Sequence, residues 1–402
     1  MIKRILIIAL LLQCKICFGQ NLSKAEYLED LQYLQDSLPK KHINLFAKIS
    51  PADFGKQIAA IRTRLEKPDA ESFLVELFKL PVAIGDEHTH IEPLFSKVLP
   101  IQFQKFNEGY FVTAVDSAHV NLQLYHLVGI NGHPINEVIA NFRTIIQSTN
   151  ASFFDTRFLT YLNNPVIMKG LGLATGTDYI TFNFKTHDGR IVNQEFKSEK
   201  GKSADELPLI KYKSGPHIYE DKENYWYRYD DKRKTLYFNY SNCEDEPSRP
   251  FSVFNDQLFK LIAEKKPHRL VIDLRENSGG NSGVLTPFID SVKKSGLNVS
   301  GKFFVLIGKA TFSSALMNAV TLKRETNAVL IGEATSGTVN HYGEVRGFRL
   351  PNSKIVIGYS TRYWETWKGY DGPLMPDIQI RYSVKNYARG IDEAIGYVNG
   401  LQ

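Results

Sequence analysis

Three short segments carry residue types that could make and break acyl bonds. The first is Thr311-Phe312-Ser313-Ser314-Ala315, between an apolar run and a helical pattern opening near Ser314. A serine at a helix N-terminus faces free N–H groups and the positive end of the macrodipole, which favours developing negative charge. A plain helix cap at Thr311 or Ser313 would use the same residues. The second is Asp273-Leu274-Arg275-Glu276-Asn277-Ser278-Gly279-Gly280-Asn281. An apolar strand there ends in a polar turn, and paired glycines let the backbone approach a ligand closely. Exposed N–H groups in such a turn could hold a carbonyl oxygen that is becoming an oxyanion. An ordinary strand-to-helix turn is the plainer alternative, and the missing Lys-Ser/Thr end excludes a phosphate loop. The third is Asp86-Glu87-His88-Thr89-His90. Histidine is the usual base for a serine nucleophile. Two histidines beside two acids are also metal-ligand types, although no further His, Cys or acidic cluster has matching spacing.

The elements that must position these segments follow from periodicity. Ser23 and Glu26 form a capping box, and Leu28, Leu31, Leu34 and Leu38 follow at helical spacing. Ser50-Pro51 opens a second helix through Phe54, Ile58, Ile61 and Leu65, and a third is predicted from Asp69 to Leu80. Further on the period approaches two. Strands are predicted at Tyr110 to Val115, Leu122 to Ile130, Tyr179 to Lys185 and Arg190 to Lys197, with turns at Asn131-Gly132 and Asp188-Gly189. Ser198 to Leu207 reads as a linker or exposed loop. Beyond Trp226 strands and helices alternate. Strands are predicted at Leu236 to Tyr240, Arg269 to Leu274, Phe303 to Ile307 and Ala328 to Ile331, with helices at Phe251 to Ala263 and Ser314 to Glu325. The continuous apolar strands are those of a sheet covered on both faces.

The 402 residues are 43% hydrophobic and 23% charged, which is globular rather than disordered or fibrous. The first residues bear on the charge of +6. Lys3 and Arg4, the apolar run Ile5 to Leu12, and Cys17 and Gly19 at the −3 and −1 positions read as a signal peptide cut after Gly19. Its removal takes away Lys3, Arg4 and Lys15, leaving 6 − 3 = +3, and leaves Cys243 as the one thiol. The chain is therefore expected to be exported to a bacterial periplasm, cell surface or exterior. No later stretch is apolar for the roughly eighteen residues a membrane span needs. No run of like charge supports nucleic-acid binding.

Taken together, the motifs resemble the S41 family of C-terminal-processing, or tail-specific, serine peptidases, and more closely its tricorn and interphotoreceptor-retinoid-binding-protein branch. Asp273-Leu274-Arg275 with Asn277, Gly279 and Gly280 is similar to Asp-Leu-Arg-x-Asn-x-Gly-Gly. Phe312-Ser313-Ser314-Ala315 is similar to the nucleophile segment, and Gly332-Glu333-Ala334-Thr335-Ser336-Gly337 to the turn that follows it. Asp86-Glu87-His88-Thr89 resembles Asp-Gly-His-Thr, and Tyr370 to Ile378 resembles Tyr-Glu-Gly…Pro-Asp-Ile. The resemblance implies a nucleophile at Ser313, a general base at His88 and a supporting acid at Asp371. It implies an oxyanion hole of Gly279, Gly280 and Ser314, with no metal or organic cofactor. It also implies a helical cap over residues 20–95, a β-rich PDZ-like module over 96–210 and a crotonase/ClpP-like α/β core over 211–402. The substrate would be a peptide or unfolded protein.

The chain departs from the pattern at several places. Thr338 stands where the Ser/Lys branch carries its lysine, Leu316 replaces the acid after the nucleophile, and Glu87 replaces the glycine before His88. Lys309 reads as a surface charge at a strand end. Glu365 and His90 are the alternatives to Asp371 and His88. These departures leave open a member of the fold that binds a hydrophobic small molecule or peptide without cutting it, and zinc hydrolysis through His88 and His90.

Overall fold

The computed structural model describes residues 22–65, 69–92, 95–147, 150–213 and 223–401. The expected signal peptide lies outside the described residues. The fold mixes helices with several sheets. Among the described residues no helix is long and apolar enough to cross a membrane.

The site-bearing layer is a six-stranded sheet. Its order is Tyr225–Asp230, Thr235–Tyr240, Arg269–Asp273, Phe303–Ile307, Val329–Gly332 and Ile378–Gln379. The first pair is antiparallel and every later pair is parallel. Successive side chains of Leu270, Val271 and Ile272 leave on opposite faces. Leu270 and Ile272 pack with Phe238, Phe254 and Phe288, whereas Val271 packs with Phe304, Ala394 and Val398. Both faces are buried, which is why these strands are apolar without alternation.

The N-terminal helices are Lys24–Lys41, Pro51–Arg64 and Ala70–Ile84. Ser23 and Glu26 form the expected capping box, and Ser50 caps the second helix. The third helix runs past the expected Leu80, carrying Pro81 inside it, and stops where Gly85 turns left-handed with φ 75°. A second, antiparallel sheet joins Ile101–Phe106, Gly109–Val115, His126–Ile130, Tyr179–Lys185 and Ile191–Lys197 with shorter strands. Sequence periodicity missed three helices in this region, Ile135–Phe142, Ala151–Tyr161 and Pro165–Gly170. The stretch expected as a linker or exposed loop is largely exposed or half-buried, with Glu199–Lys200 paired to Lys97–Val98 and a short 3-10 turn at Ala204–Glu206. One continuous core contains Leu31, Phe73, Val112 and Phe182 together with Ile357 and Tyr359 of a hairpin formed by His341–Arg349 and Val356–Trp364.

Candidate active site

Two loops leave the carboxyl ends of adjacent parallel strands, the usual location of sites in such sheets. Arg269–Asp273 feeds the loop with Gly279 and Gly280, and Phe303–Ile307 feeds the loop with Ser313. They are tied together by Thr311 Oγ1 donating to the Leu274 carbonyl at 2.8 Å and by the Phe312 N–H donating to the Asn277 carbonyl at 3.1 Å. Ser313 is the first residue of the helix Ser313–Glu325, in left-handed backbone with φ 50°. A non-glycine residue there is strained, and such strain gathers at functional sites. Its hydroxyl makes no hydrogen bond among the described residues.

The five groups expected around the serine fare differently. Ser314 adjoins it, and its Oγ donates to the Gly280 carbonyl at 2.7 Å. The N–H groups of Gly280 and Ser314 have no partner among the described residues. The Gly279 N–H, by contrast, donates to Asn277 Oδ1 at 2.9 Å. Asn277 in turn donates to the Tyr240 carbonyl at 2.9 Å, so Gly279 shapes the loop while its donor is occupied.

His88 reaches the same place from the N-terminal helices. The helix ending at Ile84 turns at Gly85 into Asp86, whose carboxylate gathers four donors. These are Thr89 Oγ1 at 2.6 Å, Ser360 Oγ at 2.7 Å, the His88 N–H at 3.0 Å and His42 Nε2 at 3.0 Å. The Asn44 N–H donates to His42 Nδ1, which fixes the His42 proton on Nε2. Burial opposes the Asp86 charge, yet the donors, His42 first, hold its carboxyl well below the usual range. Past the loop, His90 and Ile91 pair with Gly358 and Ile357.

The His88 ring is sandwiched. Phe312 lies on one face at 4.4 Å and 19°, and His341 on the other at 5.0 Å and 13°. Phe312 immediately precedes Ser313, so the structure brings the histidine to the nucleophile segment. It makes no hydrogen bond to Ser313, and both ring nitrogens are buried without a partner among the described residues. Burial, with His341 beside it, pushes the imidazole down to about 3, so it is neutral at ordinary pH. His341 Nδ1 faces two carbonyls, Thr338 at 2.9 Å and Val339 at 3.3 Å, and must carry the proton.

The structure does not bring Asp371 to this pair. Its segment runs beside the site, with the Val339 N–H donating to the Gly372 carbonyl at 2.8 Å. The Asp371 side chain is exposed, and its Oδ1 accepts the N–H of Gly372 at 3.0 Å. Glu365 is exposed as well. His90 Nδ1 is turned to the His88 carbonyl at 2.8 Å.

The fold is the one seen in S41-family peptidases. Mature CPAF complexed with lactacystin superposes with a TM-score of 0.66 at 15% identity, over 94% of this chain and 98% of that one. Mature CPAF alone gives 0.65 at 14%, over 94% and 96%. The photosystem II D1 C-terminal processing protease gives 0.41 at 12%, over 92% and 98%. No protein-family model and no curated protein matches the sequence.

Within this CPAF-like fold the structure accounts for several departures. Leu316 is fully buried in the core of the main sheet, and a Cβ on Gly337 would lie 2.9 Å from its Cδ2. Lys309 is not the surface charge expected. Its ammonium lies 2.8 Å from Asp155 and 3.5 Å from Glu333, tying the helix Ala151–Tyr161 to the nucleophile loop. Sequence reading also missed His341 and Ser360. Both sit on strands with no motif around them, and only the hairpin brings them to His88 and Asp86. A cavity of about 270 Å³ opens beside Glu87, walled by Phe78, Phe153, Arg157, Tyr161 and His90 among others.

Proposed function

We propose that the chain is an exported serine peptidase, with Ser313 as nucleophile and His88 as general base. The observation that carries this reading is the strained Ser313 at a helix N-terminus, beside two backbone N–H groups without a partner among the described residues, with a neutral histidine stacked on the preceding residue. Ser313 Oγ attacks a peptide carbonyl and its proton passes to His88. The carbonyl oxygen gains charge that the N–H groups of Gly280 and Ser314 stabilise. His88 then returns the proton to the leaving amine as the C–N bond breaks, and water hydrolyses the acyl-enzyme. Burying an imidazole with no hydrogen bond costs about 1–3 kcal/mol per unpaired group. That cost favours a state in which a nitrogen of His88 meets the serine hydroxyl. The substrate is a peptide or unfolded protein, and the 270 Å³ cavity beside Glu87 can receive one of its side chains. Export follows from the signal-peptide reading of residues 1–19.

The test is hydrolysis of an unstructured peptide library by the wild type, Ser313→Ala and His88→Ala. Both variants should lose at least about a thousandfold in kcat. Full activity of Ser313→Ala sinks the assignment. Saturable binding of a lipid-like ligand with no turnover by any form favours the non-catalytic alternative.

A further inference from the structure

Glu87 and Thr338 both depart from the motif pattern, one before the histidine and one after the Gly-Glu-x-Thr-x-Gly turn. They lie 251 positions apart and touch. Glu87 is 8% exposed, and its Oε2 accepts the Thr338 N–H at 2.9 Å and faces the Thr338 hydroxyl at 3.4 Å. The Thr338 carbonyl then accepts the proton of His341 Nδ1 at 2.9 Å, and the His341 ring lies flat against His88. A continuous path therefore runs from the Glu87 carboxyl through one residue, Thr338, to His341 and the face of the proposed base. Thr338 also follows Gly337, over which Phe312 and Leu316 pack so closely that a Cβ would sit 3.0 Å and 2.9 Å from them.

We infer that Glu87 is a positioning residue of this site: its carboxyl oxygen holds the Thr338–His341 turn, which sets the His341 ring as the plate against which His88 is oriented. The inference rests on the serine-peptidase reading for its consequence in catalysis but not for its consequence in structure. The side chain needs only an acceptor oxygen at that place, which a carboxylate, a carboxylic acid or an amide supplies equally. Its charged surroundings are Lys48 and Asp86, with Arg157 and His90 lining the adjoining cavity.

Two measurements test it. In the otherwise intact Ser313→Ala protein, ¹⁵N NMR of the histidine rings reports the His341 tautomer, the signal being identified by its loss in His341→Asn. Glu87→Gln should keep the Nδ1–H tautomer, and Glu87→Ala should lose it. In the active chain, Glu87→Ala should lower kcat by about thirtyfold or more with KM changed less than threefold, and Glu87→Gln should restore kcat to within about threefold of wild type. If Glu87→Ala does not fold, Glu87→Asp withdraws the acceptor by one methylene and should show the same losses in part. An unchanged tautomer in Glu87→Ala or Glu87→Asp, or an unchanged kcat, overturns the inference. If the wild type cleaves no peptide, the peptidase reading falls and the NMR arm still decides the positioning role.

Discussion

Gly279 lies so close to Ser313 that a Cβ on the glycine would stand 2.8 Å from the Cβ of the serine and 3.2 Å from the Ser314 nitrogen. With φ 119° the glycine also occupies backbone that other residues avoid. Gly279→Ala should therefore displace the nucleophile while the sheet beneath it stays folded. A loss of about a hundredfold or more in kcat with the circular dichroism spectrum preserved is the expected outcome. Gly280→Ala should be worse for folding, because its Cβ would stand 2.4 Å from the Cys243 carbonyl oxygen. Wild-type turnover by Gly279→Ala would mean that this close approach does not position the nucleophile.

The left-handed backbone of Ser313 predicts a stability effect separable from chemistry. An L-residue in that region costs about 1–2 kcal/mol that glycine does not pay. Ser313→Ala keeps the strain and Ser313→Gly relieves it, partly offset by the greater freedom of glycine in the unfolded chain. Ser313→Gly should accordingly be more stable than Ser313→Ala by up to about 1 kcal/mol in denaturant titrations. The reverse order would mean that φ 50° is not the resting geometry.

Glu87 and His88 should pull the pH dependence of stability in opposite directions. Burial raises the Glu87 carboxyl from 4.5 to about 7, against the Thr338 N–H that favours its charge. Its stabilising contribution is complete below about 4.5 and is lost as pH rises through about 7. Burial lowers His88 from 6.5 to about 3, so its contribution is complete above 6.5 and is lost as pH falls toward 3. Between pH 4.5 and 6.5 the two slopes, each at most about 1.4 kcal/mol per pH unit, oppose one another. Glu87→Gln should unmask a steeper loss on acidification. His88→Phe, which preserves a ring between Phe312 and His341, should leave stability that declines as pH rises. Unfolding midpoints measured from pH 4.5 to 7 decide this, and parallel curves for all three proteins would refute both shifts.

The legible and illegible parts of the sequence differ for a physical reason. The strands Arg269–Asp273 and Phe303–Ile307 and the helix opening at Ser313 could be read because sheet burial on both faces and a helix start leave local marks. The helix Ala70–Ile84 runs past the expected end at Leu80: a proline such as Pro81 ordinarily ends or kinks a helix, whereas here Gly85 supplies the stop. The helices Ala151–Tyr161 and Pro165–Gly170 did have signals, in the caps Asn150 and Asn164, which the strand-like reading of the region overrode. The pairing of the histidine loop with its partners left no local mark, although Thr338 stands out as a departure from the motif. His42, Ser360, Thr338 and His341 reach Asp86, Glu87 and His88 only through tertiary packing, across 44 to 274 positions.

That packing makes Asp86 the next point of attack. Asp86→Ala removes the acceptor of four donors at once and leaves them buried. A cost of about 3–5 kcal/mol is expected, as for breaking a buried charged network. Ser360→Ala removes one neutral donor and should cost about 1 kcal/mol. Because the Asp86 carboxyl is held well below its usual range, its contribution is complete above the ordinary Asp value and is lost only in strong acid. Denaturant midpoints at pH 7 give both numbers, and equal costs for the two variants would contradict the hub.

Asp371 separates what the motif implies from what this geometry offers. Its segment borders the site, yet the carboxylate is exposed and, among the described residues, bonds only its neighbour's N–H. A group that touches neither Ser313 nor His88 has no geometry through which to fix a tautomer or stabilise an imidazolium. Its charge in open solvent is screened over roughly 8–10 Å. Asp371→Asn should therefore change kcat less than threefold, and Glu365→Gln likewise. A loss beyond about a hundredfold in Asp371→Asn, with stability unchanged, would instead require the turn between Gly369 and Gly372 to swing inward during catalysis. Both glycines have φ near 80°, so rigidifying that turn with Gly369→Ala or Gly372→Ala would then reproduce the loss.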